Sequence, residues 1–187
     1  MRAAMTAQPR AGFLPRSVRR RADHDGPLDI GHAQTNSQPR TVRAMLELLD
    51  VRPGQRVLDV GSGSGWTTAI LAELVGASGS VLGLELVPDL VRMGASNVAT
   101  AGVPWARVRQ AEPTRLGAPD EAPFDRILVS AMAEALPQAL VAQLGVDGIL
   151  VVPVDGWMLR VCRDAATPDG LTVTRHGVYR FVPLITQ

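Results

Sequence analysis

Lysine is absent from this 187-residue chain: every one of its 19 basic residues is arginine. Balanced against 18 acids they leave a net charge of +1, so a strong electrostatic case for nucleic acid is missing. A single cysteine, Cys162, excludes an intramolecular disulfide framework and any cysteine-rich metal site. Lying in an apolar alternating run, that thiol is expected to be a small buried filler. No apolar run approaches the ~18–20 residues that a membrane span needs. Internal repeats and low-complexity segments are also lacking. What remains is an ordinary soluble composition, 46% apolar and 20% charged, in a length that suits one domain with a substantial core. The start of the chain carries Arg2, Arg10, Arg16 and Arg19 to Arg21, with no acid before Asp23. Transit peptides share that bias, but the hydrophobic core of a signal is missing. Residues 1–22 are therefore expected to be a mostly irregular, mobile arm ahead of a single domain over 23–187, in the cytoplasm.

The rest is organised around the stretch RVLDVGSGSGW at 56–66. Val57, Leu58 and Val60 read as a short buried strand, three glycines follow at alternate positions, and a helical period begins at Thr67. A strand, a glycine turn and a helix together bring a ligand against bare backbone at a helix N-terminus. Upstream, residues 23–40 are polar and rich in turn formers, which suggests a functional loop; a solvated linker with Ser37 as a helix N-cap is the plainer reading. Pro39 suits a first helical turn, and Val42, Met45, Leu46, Leu48 and Leu49 form the apolar side of a helix ending near Asp50.

Downstream, the pattern predicts a helix to about Val75, a strand at 81–85, a helix at 88–101 and a strand at 105–109. A strand at 124–130, a helix at 133–144 and a strand at 148–154 follow, with Pro153 suggesting an irregular end. Beyond Gly156 the runs 158–163, 171–175 and 178–182 read as strands of an antiparallel end. Alternating strands and helices give an α/β fold with a mostly parallel sheet flanked by helices.

The glycine spacing argues about the ligand. A dinucleotide loop wants a third glycine where this chain has Trp66, which disfavours a nicotinamide oxidoreductase. Asp59, just before the glycines, either accepts a bond from a ligand ammonium or orders the loop, and it would repel a pyrophosphate. Glu85 ends the next strand, where a carboxylate reaches both hydroxyls of a ribose. An acid on each side of the glycines fits a cationic cofactor with a ribose and no phosphate, S-adenosyl-L-methionine, and hence methyl transfer. Ser62, Trp66 and Leu86 complete this set with Asp59, Gly61, Gly63, Gly65 and Glu85. No histidine, cysteine or metal-ligating constellation is recognisable, and none is needed: a carboxylate acceptor is already ionised at neutral pH. His32 is expected to bond to nearby backbone.

Five segments, DGPLDIGHAQTNSQP (25–39), RVLDVGSGSGW (56–66), FDRILVSAMAEALP (124–137), LVVPV (150–154) and FVPL (181–184), carry a wider likeness. Through them the chain resembles the protein-L-isoaspartate (D-aspartate) O-methyltransferases over most of its length. The resemblance implies a Rossmann-like class I methyltransferase fold of seven strands. It further implies methylation of the free carboxylate of L-isoaspartyl residues in damaged proteins and peptides, by a monomer, with no nucleic-acid or membrane partner. In that family the Gln-Thr-x-Ser loop closes over cofactor and substrate, which makes Ser37, Thr35 and Gln34 the catalytic candidates and places Asn36 beside the cofactor. Several departures stand out. Asn36 replaces a usual aliphatic residue, Trp66 a common tyrosine, and Ala111-Glu112-Pro113 a Gly-Asp-Gly whose aspartate holds the adenine, leaving Glu112 as its substitute. The family also normally carries a longer segment upstream of Asp25, so the acceptor cleft is expected to be more open. The alternatives are a relative that methylates another carboxylate and a cofactor-binding paralogue without repair activity.

Overall fold

The computed structural model describes residues 1–164 and 170–185. Its centre is a seven-stranded sheet built from β3 (Arg56–Val60), β4 (Ser80–Glu85), β5 (Ala106–Gln110), β6 (Phe124–Val129), β7 (Leu144–Val154), β8 (Trp157–Arg163) and β9 (Leu171–Val178). The strand order is β5-β4-β3-β6-β7-β8-β9. The first five strands are parallel, and β8 and β9 run antiparallel at one end. Of the five residues of β3, only the first is exposed. Such a near-continuous apolar run is what a strand covered on both faces requires. Its alternate residues serve opposite layers: Val57 joins a core with helices α2 (Pro39–Leu49) and α3 (Trp66–Val75), while Leu58 and Val60 join one with Leu140, Val141 and Leu144. The helix α4 (Pro88–Thr100) packs beside α3.

Chain order runs outward from β3 through β4 to β5, then returns to the other side of β3 with β6. This reversal opens a crevice at the carboxyl ends of the strands, where open parallel sheets receive ligands.

Several expectations are corrected. The arm predicted over residues 1–22 contains a short helix, α1 (Arg2–Ala7), and two 3-10 turns, Arg10–Phe13 and Arg19–Arg21. Helix α1 packs on α3, and Ala4 and Phe13 are buried in the core, which is the gain that orders the segment. The polar stretch 23–40 is in part a hairpin of β1 (Leu28–Gly31) and β2 (Gln34–Asn36), with Leu28 and Ile30 buried beside Leu14 and Leu90. Helix α2 starts at Pro39 with Gln38, not Ser37, at its cap position.

The long helix predicted from 133 to 144 is reduced to α5 (Gln138–Val141). Backbone pairing claims its start, because Ala133 exchanges hydrogen bonds with Pro153 and Asp155, directly after Met132 has bonded to Val182 and Leu184. The fifth strand begins at Leu144, earlier than its apolar run, through a register irregularity against β6. Pro153 lies within β7, but pairing with β6 ends at Val151, so its missing N–H costs no ladder bond there. No separate strand forms at 178–182; β9 runs unbroken to Val178. Cys162 is half-buried, facing Arg160 Nη1 at 2.6 Å.

Candidate functional site

At the carboxyl ends of β3, β4 and β6 lies a cavity whose floor is the glycine loop. The amides of Gly61 and Ser62 donate to the Leu84 carbonyl at 2.9 and 3.0 Å, tying the loop to the end of β4. Gly61, Gly63 and Gly65 all have positive φ (79°, 52° and 83°). At Gly65 space as well as conformation requires glycine, since a Cβ would lie 2.9 Å from the Gly94 carbonyl oxygen of α4. Glu85, buried at the end of β4, accepts three amides: Leu86 and Val87 on Oε1 at 2.7 and 2.9 Å, and Gly63 on Oε2 at 2.9 Å. Its carboxylate thus braces the loop and borders the cavity, as do Ser62 and Leu86.

Asp59 is elsewhere. It is fully buried between β3 and α3, accepts a bond from Thr68 Oγ1 at 2.7 Å, and does not line the cavity. Of the two roles weighed for it, ordering the loop–helix junction fits this place. Burial pushes its pKa up to about 7; the Thr68 hydroxyl opposes that rise and the nearby Glu85 charge adds to it. Its Oδ1 has no hydrogen-bond partner among the described residues, and neither does the buried Ser62 Oγ.

The second wall is β2 together with Ser37, the residue that follows it. Gln34, Thr35, Asn36 and Ser37 all border the cavity, with Thr35 exposed and Ser37 half-buried. The polar atoms of the Asn36 side chain are already bonded: Oδ1 accepts from Arg10 Nε at 2.6 Å and Nδ2 donates to Ser64 Oγ at 3.0 Å. Trp66 also lines the cavity, and its indole N–H donates to the Gln8 carbonyl at 2.9 Å. His32 does not take the expected backbone bond; it turns in the hairpin at φ 57° and faces Asp89 at 3.0 Å. Glu112 lies exposed on the far rim, in a tight turn where its Oε2 is 3.8 Å from Arg115 Nη1. The chain from Val182 to Ile185 closes the remaining side.

A sequence profile of the family described as protein-L-isoaspartate(D-aspartate) O-methyltransferase matches residues 1–187. The chain belongs to that family. Among relatives with the name protein-L-isoaspartate O-methyltransferase, one from Methanopyrus kandleri is 44% identical over 187 residues, covering 98% of this chain and 82% of its own. Another, from Methanocella arvoryzae, is 40% identical over 97% of this chain and 96% of its own. A Plasmodium falciparum structure, described as a candidate protein-L-isoaspartate O-methyltransferase in complex with S-adenosyl-L-homocysteine, superimposes with a TM-score of 0.80 at 26% identity. That match covers 97% of this chain and 88% of the other. A further O-methyltransferase structure shares the fold, with a TM-score of 0.84 at 24% identity, and this chain spans 60% of its length.

For a member of this O-methyltransferase family, the geometry unites the glycine loop, Glu85, Leu86 and the loop 34–37 around one cavity, with Glu112 at its rim. Asn36 and Trp66 also line it, with their polar atoms bonded to neighbours, and Asp59 does not. Sequence reasoning missed Arg10, Ser64, Gly94 and Asn97. Arg10 lay in an aperiodic arginine-rich stretch and gave no signal. Gly94, a glycine inside a helical pattern, could have flagged a close approach.

Proposed function

We propose that this chain is an S-adenosyl-L-methionine-dependent methyltransferase that esterifies the free carboxylate of L-isoaspartyl residues in damaged proteins. The observation that carries the reading is the meeting, across one cavity, of the glycine loop braced by Glu85 and the hydroxyl-bearing loop around Ser37. The residues present fit the cofactor. Glu85 Oε2 accepts one amide and keeps acceptor capacity for a ribose hydroxyl. Ser62 Oγ is a buried polar atom in the cavity wall without a described partner, and Val60, Leu84 and Leu116 offer apolar surface to a purine, with Glu112 at the rim to meet its amino group.

When bound, S-adenosyl-L-methionine supplies a methyl group on a positively charged sulfur, which departs as a neutral thioether when the acceptor oxygen takes the methyl. Everything else is positioning. The acceptor carboxylate is ionised at neutral pH and needs no general base. Ser37, Thr35 and the Gln34 amide donate hydrogen bonds that hold it in line without withdrawing its attacking lone pair. Val182, Leu184 and Ile185 provide an apolar side that excludes competing water. In this reading the protein acts as a monomer in the cytoplasm on peptides and proteins. No described helix is long and apolar enough to cross a membrane, and the net charge of +1 supports an acceptor other than nucleic acid.

The test is incubation with methyl-labelled cofactor and a panel of acceptors. A base-labile ester on isoaspartyl peptide supports the proposal. An ester on small carboxylic acids alone would favour the relative acting on another carboxylate. Cofactor binding with no transfer to any acceptor would favour a paralogue without repair activity.

A further inference from the structure

Arg10 is buried, yet its guanidinium meets no carboxylate at hydrogen-bond distance among the described residues. It makes six contacts to neutral oxygens. Nε donates to Asn36 Oδ1 at 2.6 Å; Nη1 donates to the carbonyls of His24 at 2.9 Å and Ala22 at 3.4 Å. Nη2 donates to the carbonyls of Gly26 and Asn36 at 2.9 Å and of Ser37 at 3.0 Å. Its carbon centre lies 5.5 Å from the Trp66 ring, the first residue of α3. Two of the six acceptors are the carbonyls of Asn36 and Ser37 themselves, so one planar side chain fixes the main chain at Ser37 and the residue before it. The bond from Asn36 Nδ2 to Ser64 Oγ carries this connection into the glycine loop, and Asn97 Nδ2 holds the Ser64 carbonyl from α4 at 2.9 Å.

From this network we infer that Arg10 is a positioning residue for methyl transfer, setting the height of the Ser37 loop above the glycine loop. The inference rests on the proposed role of Ser37. Only a forked donor serves so many acceptors at once; a lysine keeps the charge but not the fork. A displacement of the Ser37 loop acts on alignment, whereas the cofactor cradle of Glu85 and the glycines is built from other bonds.

The experiment compares wild type with Arg10→Lys in full-length protein, measuring kcat and KM for an isoaspartyl peptide and the affinity and stoichiometry of cofactor binding. We expect kcat to fall by about tenfold or more, with cofactor stoichiometry unchanged and its Kd within about threefold. A merely structural role would lower the cofactor-binding fraction in step with activity and leave the turnover per binding-competent chain intact; that result overturns the inference. So does a folded Arg10→Lys with wild-type kcat. If Arg10→Lys does not fold, Asn36→Ala decides. It keeps the main-chain carbonyls that Arg10 holds but removes the acceptor of Arg10 Nε and the link to Ser64; a several-fold loss of kcat at constant cofactor Kd supports the inference, and an unchanged kcat overturns it. Should wild type itself fail to methylate the peptide, the proposed function fails first.

Discussion

At the scale of single residues, Asp59 in β3 bears on stability and Ser37, after β2, on the acceptor. Asp59 has no exposed surface, and its pKa is pushed up from 3.8 to about 7, chiefly by burial. An acid that holds its proton more tightly when folded makes stability fall as pH rises. Below about pH 4 both states are protonated; between there and about pH 7 only the folded state keeps the proton; above that window the loss is complete. Its full size is on the order of 4 kcal/mol. Urea midpoints of the cofactor-free protein should therefore drop from pH 4.5 to pH 7.5, and Asp59→Asn should abolish most of that drop. Parallel pH profiles for the two proteins would contradict the assignment. Ser37, in contrast, is expected to act on the acceptor alone. A hydrogen bond to a charged group contributes about 1.5–3 kcal/mol, so Ser37→Ala should lower kcat/KM for the peptide roughly 10- to 100-fold with cofactor affinity nearly unchanged. Equal losses in both would move Ser37 to the cofactor side.

Among the elements, the crossing of the glycine loop and α4 is a tight point beside the cavity. A Cβ on Gly94 would lie 2.8 Å from the Gly63 carbonyl oxygen. In an ordinary helix Gly→Ala stabilises by up to about 1 kcal/mol. Here the neighbour is backbone that cannot swing aside, and overpacking costs about 1–3 kcal/mol. The second effect should win: Gly94→Ala should lower the melting temperature and weaken cofactor binding, because Gly63 moves with its bond to Glu85. A higher melting temperature would show that the loop yields freely. The same elements show how much was legible in the sequence. Strand β3, its glycines and Glu85 could be read directly, because buried strands and positive-φ turns leave local patterns. The segment 133–144 misled, because its apolar residues kept a helical period while the backbone at its start was claimed by Pro153 and Asp155, distant in the chain. The N-terminal segment misled for the same reason. Arg10 finds its partners at residues 22–37 and Trp66, and nothing local announces them.

For the molecule as a whole, the sheet order β5-β4-β3-β6-β7-β8-β9 makes the crevice, and the loops at its mouth determine its use. In the proposed reading the cofactor side is built on the ends of β3 and β4 and the chain beyond β5. The acceptor side in that reading is assembled from two distant pieces, the segment 34–37 and the residues from Val182 onward. That division explains why the cofactor could be argued from one short stretch of sequence, whereas the acceptor needed the family. It also singles out the decisive measurement, the rate of labelled methyl transfer to an isoaspartyl peptide beside its aspartyl isomer. The account predicts a base-labile ester on the isoaspartyl peptide and essentially none on the isomer. Equal transfer to both, or none to either with cofactor bound, would contradict it.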